Sequence, residues 1–434
     1  MTNIEQKTER AVLCGLAAAC FAPGESSTDV SMDELAALVE TAGGVPVAML
    51  MQNRAAPDPR SFIGEGKEQE LRDLIEANEA SLAVFDNELS PSQMRVLSED
   101  LKVKVLDRSG LILDIFAQRA RTREGKLQVE LAQYKYLLPR LLGMWTHLER
   151  QEGAIGTRGP GETQLESDRR NIRRKIQKLE EELAEVRRNR ATQRRRREKN
   201  EMPVVALVGY TNAGKSTLLN ALTGSDIPAN DRLFDTLDTT TRRWMVDEVQ
   251  EVLLSDTVGF IRKLPTHLIE AFKATLEELE YADVLLHVID LSNDEWENQA
   301  KIVDALIVQL GAEATPCVRV YNKCDAFTGL LPRERGAVCV SAKRGEGLDE
   351  LRALVSETLG RGKRRAVFLI PYDKGALVQT LHDEAAVLSQ EYTESGVKVE
   401  AVVKPELWAK VKSYELGVRS SPASTDRKLI TPNS

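Results

Sequence analysis

From residue 1 to about 122, short apolar runs alternate with stretches of helical spacing. Residues 11–16, 46–51, 82–85 and 103–106 are apolar and strand-sized. Residues 32–41 and 68–78 place apolar side chains three and four apart, as a helix face does, and Asp33 or a neighbour is the expected cap of the first. Strands alternating with helices predict a mostly parallel sheet with right-handed crossovers. Ser61-Phe62-Ile63-Gly64-Glu65-Gly66-Lys67 sets two glycines and a lysine before a helix and reads as a loop-to-helix turn.

The period then changes. Leu127, Leu131, Tyr134, Leu138, Leu141, Trp145 and Leu148 step by four and three, and Leu165, Ile172, Ile176, Leu179, Leu183 and Val186 follow the same seven-residue repeat. Two such arms predict an antiparallel helical hairpin, with Pro139 kinking or interrupting the first. The connector Gly153-Ala154-Ile155-Gly156-Thr157-Arg158-Gly159-Pro160-Gly161 cannot continue a helix and reads as a narrow tip. Residues 151–200 hold 15 Lys/Arg and 9 Asp/Glu, a net +6 in a chain of net −8, which leaves −14 for the rest. Such separation suggests an anionic partner meeting the hairpin, RNA phosphates above all. A solvated helix laced with salt bridges by residues 180–182 and 185 is the bland reading, but Arg194 to Arg197 have only Glu198 as a near acid.

From residue 203 the signals become specific. The run 204–208 is a buried-strand pattern leading into Gly209-Tyr210-Thr211-Asn212-Ala213-Gly214-Lys215-Ser216-Thr217, followed by a helical stretch. This is a phosphate loop in its strand–loop–helix setting. Its glycines let backbone N–H groups surround phosphates, and the helix N-terminus adds partial positive charge. Lys215 is the catalytic cation reaching the β- and γ-phosphates, and the Ser216 hydroxyl is a Mg²⁺ ligand.

The base is read elsewhere. Strand-like residues 318–321 end in Asn322-Lys323-Cys324-Asp325. The Asp325 carboxylate can accept from guanine N1–H and the 2-amino group, whereas adenine leaves it unmatched, so GTP and GDP are the expected nucleotides. The Lys323 stem can cover one face of the base. Ser341-Ala342-Lys343 ends a further strand as the second base-contacting loop. Residues 252–255 lead into Asp256-Thr257-Val258-Gly259, where Asp256 holds Mg²⁺ through water and the Gly259 N–H meets the γ-phosphate. The polar segment Phe234-Asp235-Thr236-Leu237-Asp238-Thr239 precedes it and should offer one threonine to the metal; spacing alone does not choose which. Phe260 follows, where other GTPases place a water-orienting glutamine, so slow intrinsic hydrolysis or another water-holding group is expected.

Composition narrows the remainder. With 434 residues, 42% hydrophobic and 29% charged, the chain suits about three soluble domains. No apolar run reaches the roughly 18 residues of a membrane span. The polar N-terminus does not read as a secretory signal. Cys14, Cys20, Cys317, Cys324 and Cys339 are scattered, which argues against a disulfide scaffold and fits a reducing cytoplasm. His147, His267, His287 and His382 are far apart and suggest neither a catalytic triad nor a metal pair.

Taken together the chain resembles the HflX family of translation-factor-class GTPases. The phosphate loop, NKCD and SAK place it only among GTPases. The specific likeness lies in residues 107–117 with 124–133, in the glycine-rich tip through Asp168-Arg169-Arg170, and in Asp256 to Phe260 followed by Ile261-Arg262-Lys263-Leu264-Pro265. The resemblance implies an α/β fold: an N-terminal α/β nucleotide-binding-like domain (1–125), a basic helical hairpin (126–200), a P-loop GTPase domain with a central mixed sheet flanked by helices (201–363), and a small C-terminal α/β domain (364–418). Residues 419–434 read as a disordered tail. It implies Mg²⁺-dependent hydrolysis of GTP to GDP and phosphate, stimulated by the ribosome. The implied partners are the large ribosomal subunit and its rRNA, with the tip near the peptidyl-transferase region and subunit separation as the outcome, notably in stress. By the same matching Thr236 is the Mg²⁺-binding threonine. The family often has alanine at position 235 and proline at 239, where this chain has Asp235 and Thr239. A cytoplasmic monomer is expected, without an integral membrane segment and compatible with peripheral membrane association. Rival readings are an assembly GTPase for immature large subunits, an RNA-binding module with a passive nucleotide site, and an RNA-remodelling ATPase using the N-terminal part, which carries no phosphate loop of its own.

Overall fold

The computed structural model describes residues 8–22, 24–151, 160–199, 202–226, 233–234, 236–237, 239–247, 250–264, 268, 279, 281–360, 364–403 and 405–418. The expected tail and most of the hairpin tip, Arg158 included, lie outside these residues. The chain divides into two compact units, 1–355 and 356–434.

The first unit opens with four parallel strands in the order β2-β1-β3-β4: β1 (Arg10–Ala18), β2 (Val45–Arg54), β3 (Leu82–Phe85) and β4 (Lys104–Asp107). Alternate β1 residues face opposite ways. Ala11 and Leu13 join Leu35 and Leu38 of α1 (Asp29–Thr41) and Ile112 and Phe116 of α4 (Arg108–Arg119). Val12, Cys14 and Leu16 join Leu71 of α2 (Glu65–Ala77) and Leu97 of α3 (Pro91–Leu101). Burial on both faces explains why β1 reads as a continuous apolar run instead of alternating. Residues 61–67 form the turn into α2, as expected. The cap of α1 is Thr28 and not Asp33. The Thr28 hydroxyl accepts from the Ser31 N–H and the Ser31 hydroxyl from the Thr28 N–H, a reciprocal pair that Asp33, inside the first turns, cannot make.

Helices α5 (Arg123–Gln151) and α6 (Pro160–Lys199) pair along Leu127 and Leu131 with Leu179 and Leu183. Lys135–Glu180 at 2.9 Å and Arg123–Glu182 at 3.7 Å set them antiparallel. Helix α5 runs through Pro139 without interruption. The Arg140 guanidinium, one residue on, donates to the Tyr136 carbonyl and to Asp107 Oδ2, and the Tyr136 hydroxyl donates to Asp107 Oδ1. These buried bonds anchor the helix on the first sheet on either side of the proline.

The second sheet has six strands, in the order β10-β9-β8-β5-β7-β6. These are β5 (Val204–Gly209), β6 (Thr240–Met245), β7 (Glu251–Asp256), β8 (Val284–Asp290), β9 (Cys317–Asn322) and β10 (Ala337–Cys339). All neighbours are parallel except edge strand β6, which makes the sheet mixed. Helices α7 (Lys215–Thr223), α8 (Trp296–Gln309) and α9 (Leu348–Gly360) belong to this stretch of chain. The carboxyl ends of β5, β7 and β9 emerge along one edge, the place where open α/β sheets bind ligands.

The second unit holds β11 (Arg364–Ile370), α10 (Gly375–Glu384), β12 (Ala386–Thr393), β13 (Gly396–Val403), α11 (Pro405–Val411) and β14 (Glu415–Val418). Its antiparallel sheet runs β12-β13-β11-β14, the split βαβ arrangement. Phe368, Val399 and Ala401 pack with Leu381 and Leu407 of the two helices. Sequence spacing extends the first helix to Leu388, whereas it ends at Glu384 and Val387 pairs with Ala401 in a hairpin. A short apolar run suits either element, and the cross-strand partner decides.

Candidate nucleotide site

The phosphate loop joins β5 to α7. Gly214 has φ +88°, and a Cβ there would lie 2.3 Å from Asn322 Nδ2. Glycine therefore lets the β9 loop approach. Asn322 Nδ2 donates to the Ala213 carbonyl at 2.9 Å, and Asn322 Oδ1 accepts from the Ala342 N–H at 3.1 Å. One buried amide thus ties together the phosphate loop, the NKCD loop and the SAK loop. The Cys324 N–H adds a bond to the Val340 carbonyl at 3.2 Å.

Within the base-reading part, Lys323 sits in the left-handed region at φ +60°, with its ammonium 2.7 Å from Asp290 Oδ2. The Asp325 carboxylate lies 3.2 Å from Arg344 Nε. A hydrogen bond from the Ser341 hydroxyl, with Arg344 close by, holds Asp325 below the ordinary carboxylate range, so it stays an acceptor near neutrality. Ser341 is buried and Lys343 exposed.

At the phosphate end, three predicted residues converge from separate segments. Ser216 Oγ donates to Asp256 Oδ2 at 2.6 Å and lies 2.9 Å from Thr236 Oγ1. Asp256 is 2% exposed, and its Oδ1 has no hydrogen-bond partner. Two hydroxyls and a buried carboxylate with a spare oxygen make a hard, oxygen-only donor set of the kind Mg²⁺ takes. Lys215 Nζ donates to the carbonyls of Gly209 at 3.3 Å and Tyr210 at 2.9 Å. Burial lowers its pKa to about 8 against the opposing pull of Asp256, while burial raises the Asp256 carboxyl.

The 256–260 loop is zipped to the phosphate loop: the Thr211 N–H donates to the Phe260 carbonyl at 2.7 Å, and the Phe260 N–H to the Gly209 carbonyl at 3.1 Å. A Cβ on Gly259 would lie 2.9 Å from Thr211 Cα and 3.0 Å from Lys215 Nζ, so only glycine fits there. The Thr257 hydroxyl is spent on the Leu207 carbonyl at 2.6 Å.

Some predicted site side chains turn away. Phe234, Leu237 and Val258 are buried in an apolar cluster with Ile112 and Phe116 of α4, where the Phe234 and Phe116 rings meet edge-to-face at 4.8 Å. Only their backbones are available to a nucleotide. Asp235 and Asp238 lie outside the described residues. Asn212 is exposed at φ +61° and Thr217 is half-buried.

Sequence reasoning missed a buried polar cluster joining the two sheets of the first unit. Tyr210, in the phosphate loop, donates its hydroxyl to Glu34 of α1 and accepts from the Arg262 N–H at 2.8 Å. Lys263 pairs with Asp86 at the end of β3. Asp86 also accepts from Arg108 at 2.8 Å and from the hydroxyls of Ser27 and Ser31, and Arg108 pairs with Glu34 as well. No period or spacing marks these residues. The local signal was a run of charged residues, Arg262 and Lys263, directly after an apolar loop.

The geometry can be set beside known proteins. Family models match residues 29–117 ("GTP-binding GTPase N-terminal"), 119–197 ("GTP-binding GTPase Middle Region") and 204–323 ("50S ribosome-binding GTPase"). A GTPase HflX from Caldanaerobacter subterraneus is 44% identical over 95% of this chain and 95% of its own length. The GTPase HflX of Escherichia coli is 44% identical over 84% of this chain and 87% of its own length. Among solved structures, the SsGBP–GDP complex is 25% identical, with a TM-score of 0.47 over 82% of this chain and 99% of that one. At 44% identity to these curated relatives over 84% to 95% of its length, this chain belongs to the HflX family of GTPases.

Proposed function

We propose that this GTPase is a Mg²⁺-dependent, cytoplasmic switch that binds the large ribosomal subunit through its rRNA and promotes separation of the subunits. The observation that carries the nucleotide half is the meeting of Ser216, Thr236 and Asp256 from three segments of the chain. The ribosomal half rests on the likeness of residues 204–323 to the family described as 50S ribosome-binding, and on the net +6 of residues 151–200. Four working parts follow the sequence divisions 1–125, 126–200, 201–363 and 364–418, in a monomer.

The loop N–H groups and the N-terminus of α7 receive the β-phosphate, and Lys215 exchanges its carbonyl partners for β- and γ-phosphate oxygens. Ser216 and Thr236 would hold a divalent cation directly and Asp256 would hold it through water; bound there, it would neutralise charge on the β- and γ-phosphates. Asp325 accepts from guanine N1–H and the 2-amino group, with the Ser341-Ala342-Lys343 backbone toward O6. The Gly259 N–H meets the γ-phosphate. Ordering Thr236 and Gly259 moves residues that abut α4 and the Glu34–Asp86 cluster, which gives the terminal phosphate leverage on the N-terminal sheet. GTP must then favour the ribosome-bound shape more than GDP does.

Light scattering and sedimentation with purified ribosomes test this. A non-hydrolysable GTP analogue should split the particle and co-sediment the protein with the large subunit. Equal splitting with GDP would sink the switch. Binding only to immature large subunits would move the function to assembly.

A further inference from the structure

A short stretch of chain, pinned almost residue by residue, links the phosphate end of the site to the polar cluster on the first sheet. Gly259 lies against the phosphate loop, where an added Cβ would meet Thr211 Cα at 2.9 Å and Lys215 Nζ at 3.0 Å. Phe260 is tied to Gly209 and Thr211 by two backbone bonds, and Ile261 is buried. The Arg262 N–H donates to the Tyr210 hydroxyl at 2.8 Å, and its guanidinium to Glu295 at 2.9 Å. Lys263 closes the stretch with its ammonium on Asp86.

Lys263 has φ +52°, a left-handed backbone that residues with a side chain rarely adopt. Such a conformation persists where the surroundings over-determine it. Here the determining partner belongs to the other sheet. The Lys263 side chain is 10% exposed and that of Asp86 fully buried, and Asp86 is itself fixed by Arg108 and the hydroxyls of Ser27 and Ser31. The segment carrying Thr236 repeats the pattern. Phe234 has φ +55° and rests edge-to-face on Phe116 of α4. Each phosphate-sensing segment thus reaches the first sheet through a left-handed residue a few positions from Gly259 or Thr236. With both residues seated, Ser216, Thr236 and Asp256 are drawn together. The seated arrangement and the assembled phosphate end are one conformation.

We propose that Lys263 is a positioning residue for GTP: its ammonium, held by Asp86, fixes the 259–263 stretch so that the Gly259 N–H stands ready for the γ-phosphate. The loop is then ordered in advance, and the triphosphate does not have to order it on binding. GDP has no γ-phosphate to meet Gly259 and gains nothing from the pair. The coupling is reciprocal, so a γ-phosphate on Gly259 strengthens the Lys263–Asp86 contact by the factor that the contact strengthens GTP. A pair that served only to hold the sheets together would affect both nucleotides alike.

The inference deepens the proposed function and rests on its placing of Gly259 at the γ-phosphate. Three variants of the full chain test it. Lys263→Met keeps an unbranched stem and removes the charge, leaving Asp86 paired with Arg108. Lys263→Arg keeps the charge. Asp86→Asn reaches the same pair from the first sheet. By titration calorimetry, Lys263→Met and Asp86→Asn should each weaken a non-hydrolysable GTP analogue about tenfold and leave GDP within about twofold. Lys263→Arg should retain most of the affinity for the analogue. Equal losses for the two nucleotides, or no loss for either, overturn the inference. Gly259→Ala tests the reading beneath it, and should also lose the analogue and spare GDP. If Gly259→Ala alone is selective, the site reading stands and the inference falls; if Gly259→Ala is not selective, both fall.

Discussion

Asn322→Ala removes a side chain that bonds two of the nucleotide loops to its own. Asn322 is 2% exposed and bonds the Ala213 carbonyl at 2.9 Å and the Ala342 N–H at 3.1 Å. Each bond contributes roughly 1 kcal/mol net, and each partner left unpaired in the interior adds a desolvation penalty of about 1–3 kcal/mol when no water reaches it. With partial relaxation the cost is about 2–4 kcal/mol. If it falls on the bound arrangement of the loops, affinity drops roughly 30- to 1000-fold, at 1.4 kcal/mol per decade. In the proposed function the γ-phosphate is read by Lys215, Gly259, Ser216 and Thr236, not by this amide. GDP and GTP should therefore lose affinity equally. Titration calorimetry on the full chain with both nucleotides, beside a urea unfolding curve, checks this. A loss below about threefold with an unchanged unfolding midpoint would show that the amide does not hold the loops. A loss much larger for GTP than for GDP would place Asn322 at the wrong end of the site.

Asp325→Asn should shift preference from guanine toward xanthine nucleotides, measured by competition; retained GTP preference would remove Asp325 as base reader. Deleting residues 156–161 should leave GTP affinity intact while abolishing ribosome-stimulated turnover, and persisting stimulation would exclude the tip from that role. Asp86→Ala leaves Lys263 without its carboxylate and Arg108 with Glu34 and the Ser31 carbonyl, inside a buried cluster. Breaking a buried pair this way costs about 3–5 kcal/mol, seen as a lower urea midpoint, and a change under about 1 kcal/mol would mean the cluster is well solvated.

The Asp86 cluster and the Phe116–Phe234 contact give the molecule a mechanical logic. Here the segment carrying Thr236 and the loop carrying Gly259 both rest on the first sheet's helices. Interfaces of packed side chains are bistable and do not deform continuously, so under the proposed switch a small displacement at the phosphate should be transmitted as a change of packing.

Several features were legible in the sequence because they are local. Gly209 to Thr217 run without a break from the end of β5 into α7. The guanine reading proposed for Asp325 needs only its own two oxygens. Strand-like runs such as 82–85 declare themselves because a sheet covered on both faces needs continuous apolar residues. The repeat placing Leu127 and Leu131 opposite Leu179 and Leu183 is likewise a local period. Tertiary structure alone decided that Tyr210 bonds across to Glu34, that Lys263 is buried on Asp86, that Leu388 lies in a strand, and that Thr211 keeps a buried hydroxyl without a partner. Burial and pairing of a polar group depend on which distant segments surround it. A charged residue has the same local sequence signature whether it points to water or to a counter-charge some 177 positions away.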